Sequence, residues 1–177
     1  MSSLPDIRLE TERLILRTPI ELDGPAVAAF FQSNRARYVD GPFDEEDAWY
    51  VFYTECGHWA LHGFGMFMLT EKASAKPDAP IGMAGLFKMP NWEQADLGYM
   101  LFSETHEGRG LAYEAAMAVR RFAYDDLGWT TVCSSITPGN ARSIRMAERM
   151  GAVLDPDAVA PDEGDVVYRH PAPEALQ

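Results

Sequence analysis

The chain has 177 residues, 47% of them apolar, enough to fill the core of one domain without a second. With 27 acidic against 15 basic residues and a formal charge of −12, it repels phosphate backbones, which disfavours a nucleic-acid partner and favours a cationic substrate. Two distant cysteines, Cys56 and Cys133, exclude a disulfide framework or zinc knuckle, and every apolar run breaks short of the roughly 20 residues a bilayer needs.

The start, MSSLPDIRLE, has no basic-then-apolar signal pattern, so a cytoplasmic protein with no membrane contact is expected. In the first strand, Leu14, Leu16 and Thr18 share one face, Ile15 and Arg17 the other, and Pro19 ends it. Asp23 is placed to cap a helix carrying Val27, Phe30 and Phe31, which fades near Asn34 before a break at Gly41-Pro42. Asp44 to Asp47 open a second helix with a charged first turn, and Trp49, Tyr50, Tyr53 and Trp59 follow along it. Trp49, Tyr53 and His58 on this helix are the candidate substrate-binding residues, balanced against a plain role in packing the helix onto a sheet. His58 and His62 are four apart, but the pattern supplies no third ligand, so no metal site is expected.

Strands are expected at Phe64 to Leu69, Ile81 to Phe87 and Ala95 to Phe102, joined by an exposed turn from Glu71 to Pro80 and a loop at Pro90 to Trp92. Together they form an antiparallel meander. The stretch Ser103 to Ala115, SETHEGRGLAYEA, then turns directly from strand to helix through Gly108 and Gly110. Glycine lets backbone approach a bulky anion, and the first amides of a helix are unpaired donors at the positive end of its dipole. No Gly-Lys-Ser/Thr follows and the third glycine of a dinucleotide fingerprint is missing, so this is neither of those loops.

From Leu111, the residues Ala112, Ala115, Ala116, Val119, Phe122 and Ala123 recur at helical spacing until Leu127-Gly128. Trp129 to Ile136 reads as a strand lying parallel to the one before the helix, which sets the glycine loop at the carboxyl end of the sheet. Asn140 leads into a short helix, Ala141 to Met150, closed by Gly151. A strand at Ala152 to Leu154, an acidic loop from Asp155 to Asp165, a strand at Val166 to Arg169 and a frayed tail from Pro171 to Gln177 complete a single domain over residues 1–177, its core about 9–170.

Gly108-Arg-Gly-Leu-Ala112 after Leu97-Gly98-Tyr99, with Asn140-Ala-Arg-Ser143 running to Gly151, resembles the GNAT N-acetyltransferase family. The opening Thr11-Glu-Arg-Leu-Ile-Leu-Arg17 is similar to the branch of ribosomal-protein N-terminal acetyltransferases. The resemblance implies an α/β domain with a mixed, mostly antiparallel central sheet, a splayed parallel strand pair and helices on both faces. It implies acetyl-CoA as co-substrate, a primary amine acceptor (small molecule or peptide), and no metal. Carried over by position, Leu101 and Phe102 would pair with the pantetheine arm. The amides of Gly108, Arg109, Gly110, Leu111 and Ala112 would hold the pyrophosphate, and Asn140 would help fix the cofactor.

Two catalytic roles follow from the same resemblance: Asp96 as base, directly or through water, with Glu104 and His106 next in line, and Ser143 at the CoA sulfur. The tyrosine that many members carry seven residues after the asparagine is replaced by Ala147, and the loop begins with Glu107 where the family often has Gln or Arg. Arg109, Arg142 and Arg145 are the candidate compensating charges. A CoA-binding sensor module with little catalysis stands as the alternative, and a homodimer is left open.

Overall fold

The computed structural model describes residues 4–76 and 78–176; Met1 to Ser3, Pro77 within the expected turn, and Gln177 at the tail lie outside them. The first expected strand is a hairpin of β1 (Arg8–Glu10) and β2 (Leu14–Arg17), because Thr11 folds the chain back. Its amide donates to Leu14 O (3.0 Å) and its hydroxyl oxygen accepts from Leu14 N (2.9 Å). α1 (Gly24–Phe31) and α2 (Glu45–His62) follow. Asp44 caps α2 by accepting from Asp47 N at 2.9 Å, and Gly63, at φ 71°, ends it.

Asp23 does not cap α1. Its carboxylate takes both ends of the Arg17 guanidinium, each at 2.7 Å, and the Ile20 amide at 2.8 Å, so an ion pair outcompetes the cap. The meander is β3 (Met66–Glu71), β4 (Gly82–Phe87) and β5 (Asp96–Leu101). α3 (Leu111–Arg121) leads through a π-helical turn, Phe122–Asp126, toward β6 (Cys133–Ile136). Then come α4 (Ala141–Arg149), β7 (Val153–Leu154) and β8 (Val166–Arg169). The tail, expected to fray, makes a 3-10 turn at Pro173–Leu176 and is tethered where Tyr124 Oη donates to Pro171 O at 2.9 Å.

The eight strands form one sheet in the order β1-β2-β3-β4-β5-β6-β8-β7, antiparallel except for β5 and β6. Both faces are covered, so β3 and β4 are almost wholly buried and read as continuous apolar runs. Phe67, Leu69, Leu86 and Leu97 pack against Leu111, Ala115 and Val119 of α3. On the opposite face Met66, Met68 and Met83 pack against Val27, Phe30 and Phe52 of α1 and α2. Trp59 is fully buried on the first of these clusters, edge-on to Phe67, and its indole N–H reaches Met66 O at 2.8 Å.

Candidate active site

β4 and β5 share six paired residues, whereas β5 and β6 share one pair, Asp96 with Cys133. Past it, side chains take the places of ladder partners. Asp96 Oδ1 accepts from Ser135 N at 2.5 Å, and Ser134 Oγ donates to Leu97 O at 2.8 Å. These two bonds satisfy backbone groups that a continued ladder would have paired, and they wedge the strands apart. The gap they open belongs to a cleft of about 1020 Å³ lined by β5, β6, the end of α1, and the loops leading to α2, α4 and β8.

One end of the cleft is built for an anion. Gly108 and Gly110 sit at φ 71° and 77°, a conformation costly for any residue with a Cβ, and they bring the chain into α3 with no side chain capping its first turn. The loop is clamped from below by the TERLILR stretch. Arg13 donates to Arg109 O at 2.7 Å, while Glu114 in the first turn of α3 accepts from Thr11 Oγ1 (2.5 Å), Arg13 N (2.8 Å) and Arg13 Nε (2.7 Å). The Arg109 guanidinium is held by Glu71 and its carbonyl by Arg13, which leaves the backbone amide of this residue to meet a ligand. Asn140 Oδ1 caps α4 by accepting from Ser143 N at 3.3 Å.

Glu107, the departure from the family pattern, is neutralised. Arg35 reaches it at 2.6 Å and Arg142 also pairs with it. The Arg35 hydrogen bond, the largest influence, holds its carboxyl below the usual range. Arg145 is exposed. Arg35, from the turn after α1, was not legible as a site residue, and its Nη2 also donates to Leu101 O at 3.0 Å. The Phe102 amide is committed to Ile81 O of the β4 side at 2.9 Å, so strand alternation turns the backbone of Tyr99 and Leu101, not Phe102, toward the gap.

The other end of the cleft is acidic. Burial pushes the Asp96 carboxyl up to about 7, with Asp165 and Asp162 adding to the rise and the Ser135 amide opposing it. A cavity of about 20 Å³ beside Asp96 has room for one water. Tyr99, which sequence reasoning passed over, crosses the gap and donates its hydroxyl to Ser143 O at 3.1 Å, so β5 and the first turn of α4 are joined where Ser143 lines the cleft. Glu55 of α2 also faces in; burial pushes its carboxyl up to about 8. Its signal was its spacing, since Phe52, Glu55 and Trp59 share one helix face.

Trp49, Tyr53 and His58 are not among the residues that wall this cleft, so the expected aromatic substrate wall is placed elsewhere. Trp49 lies against Gly24, filling the space a Cβ there would take, and Tyr53 is exposed on the outer side of α2. His58 is buried, with Nδ1 at 2.9 Å from Phe64 O, Nε2 at 3.2 Å from Lys88 N, and its ring stacked on Phe87 at 4.4 Å. Of the α2 side chains Glu55 lines the cleft, whereas Trp49 and His58 pack against other elements and Tyr53 points to solvent. Glu104 lies at the anion end, in ion-pair reach of Arg35 at 3.6 Å.

A splayed parallel pair beside an uncapped, glycine-led helix defines a protein of the acyl-CoA-dependent N-acyltransferase class. Comparison with known proteins agrees: residues 13–153 match the acetyltransferase (GNAT) domain, and the chain belongs to that family. An acetyltransferase from Agrobacterium tumefaciens str. C58 is 38% identical, with a TM-score of 0.85 and 96% of each chain covered. A putative ribosomal-protein-serine acetyltransferase from Vibrio cholerae shares the fold at 22% identity, with a TM-score of 0.74, over 94% of this chain and 98% of that one. The uncharacterized protein YkkB of Bacillus subtilis (strain 168) is 34% identical over 73 residues, 40% of this chain and 42% of that protein. Among the described residues no helix is long and apolar enough to cross a membrane.

Proposed function

We propose that the protein transfers the acetyl group of acetyl-CoA directly to a primary amine, with the amine entering from the acidic end of the cleft and the thioester from the glycine-loop end. The observation that carries this reading is the single β5–β6 pair: it opens a gap that runs from an uncapped helix N-terminus to a carboxyl raised into the neutral range. The residues suit the co-substrate. The amides of Gly108 to Ala112 meet no side-chain cap, and at Gly108 nothing lies within 4 Å of where a Cβ would stand. The backbone of Tyr99 and the amide of Leu101, whose carbonyl already accepts from Arg35, are aimed at the gap for the pantetheine arm, and Asn140 lines the cleft beside it. Bound there, acetyl-CoA supplies the thioester carbonyl, whose C–S bond breaks as the C–N bond forms.

Asp96, near 7, is partly ionised at neutral pH and takes the proton the amine gives up, directly or through a water in the small cavity beside it. The acceptor's own pKa sets how much help it needs: an α-amine near about 7.8 is partly neutral at pH 7, a lysine-like amine near about 10.4 scarcely so. Ser143, held by the Asn140 cap and the Tyr99 contact, donates a hydrogen bond from its hydroxyl to the departing thiolate sulfur. Thiol release from acetyl-CoA across a panel of amines tests the reading. Saturable release with acetylated amine as product supports it; tight acetyl-CoA binding with no release from any amine replaces it with a CoA-sensing module.

A further inference from the structure

The roles above leave Glu55 over. Its Oε2 is buried and has no hydrogen-bond partner among the described residues, although it belongs to the wall of a large cleft. A carboxyl in that setting is costly unless something arrives to pair with it. The Met66 backbone amide donates to this carboxyl and partly offsets its burial, and the Met66 side chain reaches over the Gly98 backbone, its Cε 3.6 Å from where a Cβ on Gly98 would stand. Asp96 Oδ2 lies 3.9 Å from that same point. Glu55 and Asp96 therefore face one space, with Met66 as an apolar spacer between them.

The mouth of that space adds Asp40, Asp162 and Asp165, close enough that Asp162 and Asp40 push the Asp165 carboxyl upward, after burial. The cleft's cations do not balance them. Arg35 and Arg142 are spent on Glu107, and Arg37 lies over the Tyr38 ring at 4.6 Å while donating to Asn34 O at 3.2 Å. One ammonium at Asp96 would leave Glu55 as it is.

We propose that the acceptor is a dication: an amine whose reacting nitrogen sits at Asp96 while a second cationic group, carried on an apolar spacer, is held by Glu55. This rests on the reading of the acidic end as the acceptor's side of the cleft. Burial is the first cause of the upward displacement of each carboxyl, and a cationic group placed at each by a bound dication would offset it. The mouth carboxylates draw the cation in, and Met66 matches its alkyl chain.

The test is calorimetric titration of the full chain, with CoA present, by α,ω-diamines and by n-alkylamines of equal length. Diamines are expected to bind at least about tenfold tighter at their best length, and Glu55→Gln to bring that ratio below about threefold. Equal affinities in the wild type overturn the proposal, and so does a diamine preference that survives Glu55→Gln. If the variant does not fold, the wild-type comparison decides alone. Thiol release from acetyl-CoA separates this from the transfer reading. Monoamines turned over as well as diamines overturn the dication and leave acetyl transfer standing; no release from any amine removes transfer, and the affinity ratio still decides what the acidic end binds.

Discussion

Glu55→Gln separates the cost of a site from its use. The carboxyl moves from an ordinary 4.5 to about 8 on folding. Its folded value is raised, so the native state binds the extra proton between those limits, and stability is highest below 4.5 and falls as pH rises through about 8. At about 1.4 kcal/mol per tenfold, the full effect would be on the order of 5 kcal/mol. The residue is only half-buried and water reaches the cleft, so about half of that, roughly 2–3 kcal/mol, is expected. Glutamine has the same shape and no titration, which removes this slope and leaves every other group's slope in place. Urea unfolding of both proteins at about pH 5, 7 and 9 gives a difference that should grow with pH in favour of the variant. Parallel curves would show that Glu55 ionises as it does in water, and the argument from its burial would fail.

Asp96→Asn should lower kcat by at least about tenfold and abolish the limb of the pH–rate profile near 7, since the amide cannot take a proton; an unchanged profile would assign the base elsewhere. Ser143→Ala is expected to cut turnover by more than about tenfold while the Kd for CoA stays nearly constant, read by single-turnover kinetics beside calorimetry. Gly110→Ala places a Cβ at φ 77° and should cost about 1 kcal/mol of stability and weaken acetyl-CoA binding several-fold, whereas normal binding would remove the loop from the anion site. Glu114→Ala strips three close hydrogen bonds from a side chain that is 16% exposed, for about 2 kcal/mol in a thermal or urea melt. A loss under about 0.5 kcal/mol would mean that the Thr11–Arg13 clamp is ornamental.

What could be read before the structure was what short-range physics decides. The Asn140 helix start, the glycine end of α4, the meander and β8 over Val166–Arg169 all follow from period and capping within a few residues. Failures came where a competing partner wins. Asp23 left its helix cap for Arg17, only six residues back, and Trp129 to Val132, β-branched though it partly is, stays outside β6 because strand pairing begins only at Cys133. Arg35 meets Glu107 from 72 residues away, and Thr11 meets Glu114 from 103, separations at which spacing carries no signal. Asp96 was legible as a carboxyl on the right strand; that it also fastens Ser135 and so helps hold the gap open was not.

The most direct measurement compares acetyl-CoA with S-acetylpantetheine, which carries the same thioester and arm without the diphosphate or nucleotide, by calorimetry on the intact chain. If the bare amides at the start of α3 hold the diphosphate, acetyl-CoA binds one site per chain and loses at least about a hundredfold, near 3 kcal/mol, when that group is absent. No heat from acetyl-CoA at about 1 mM, or equal affinity for the two thioesters, would contradict the account.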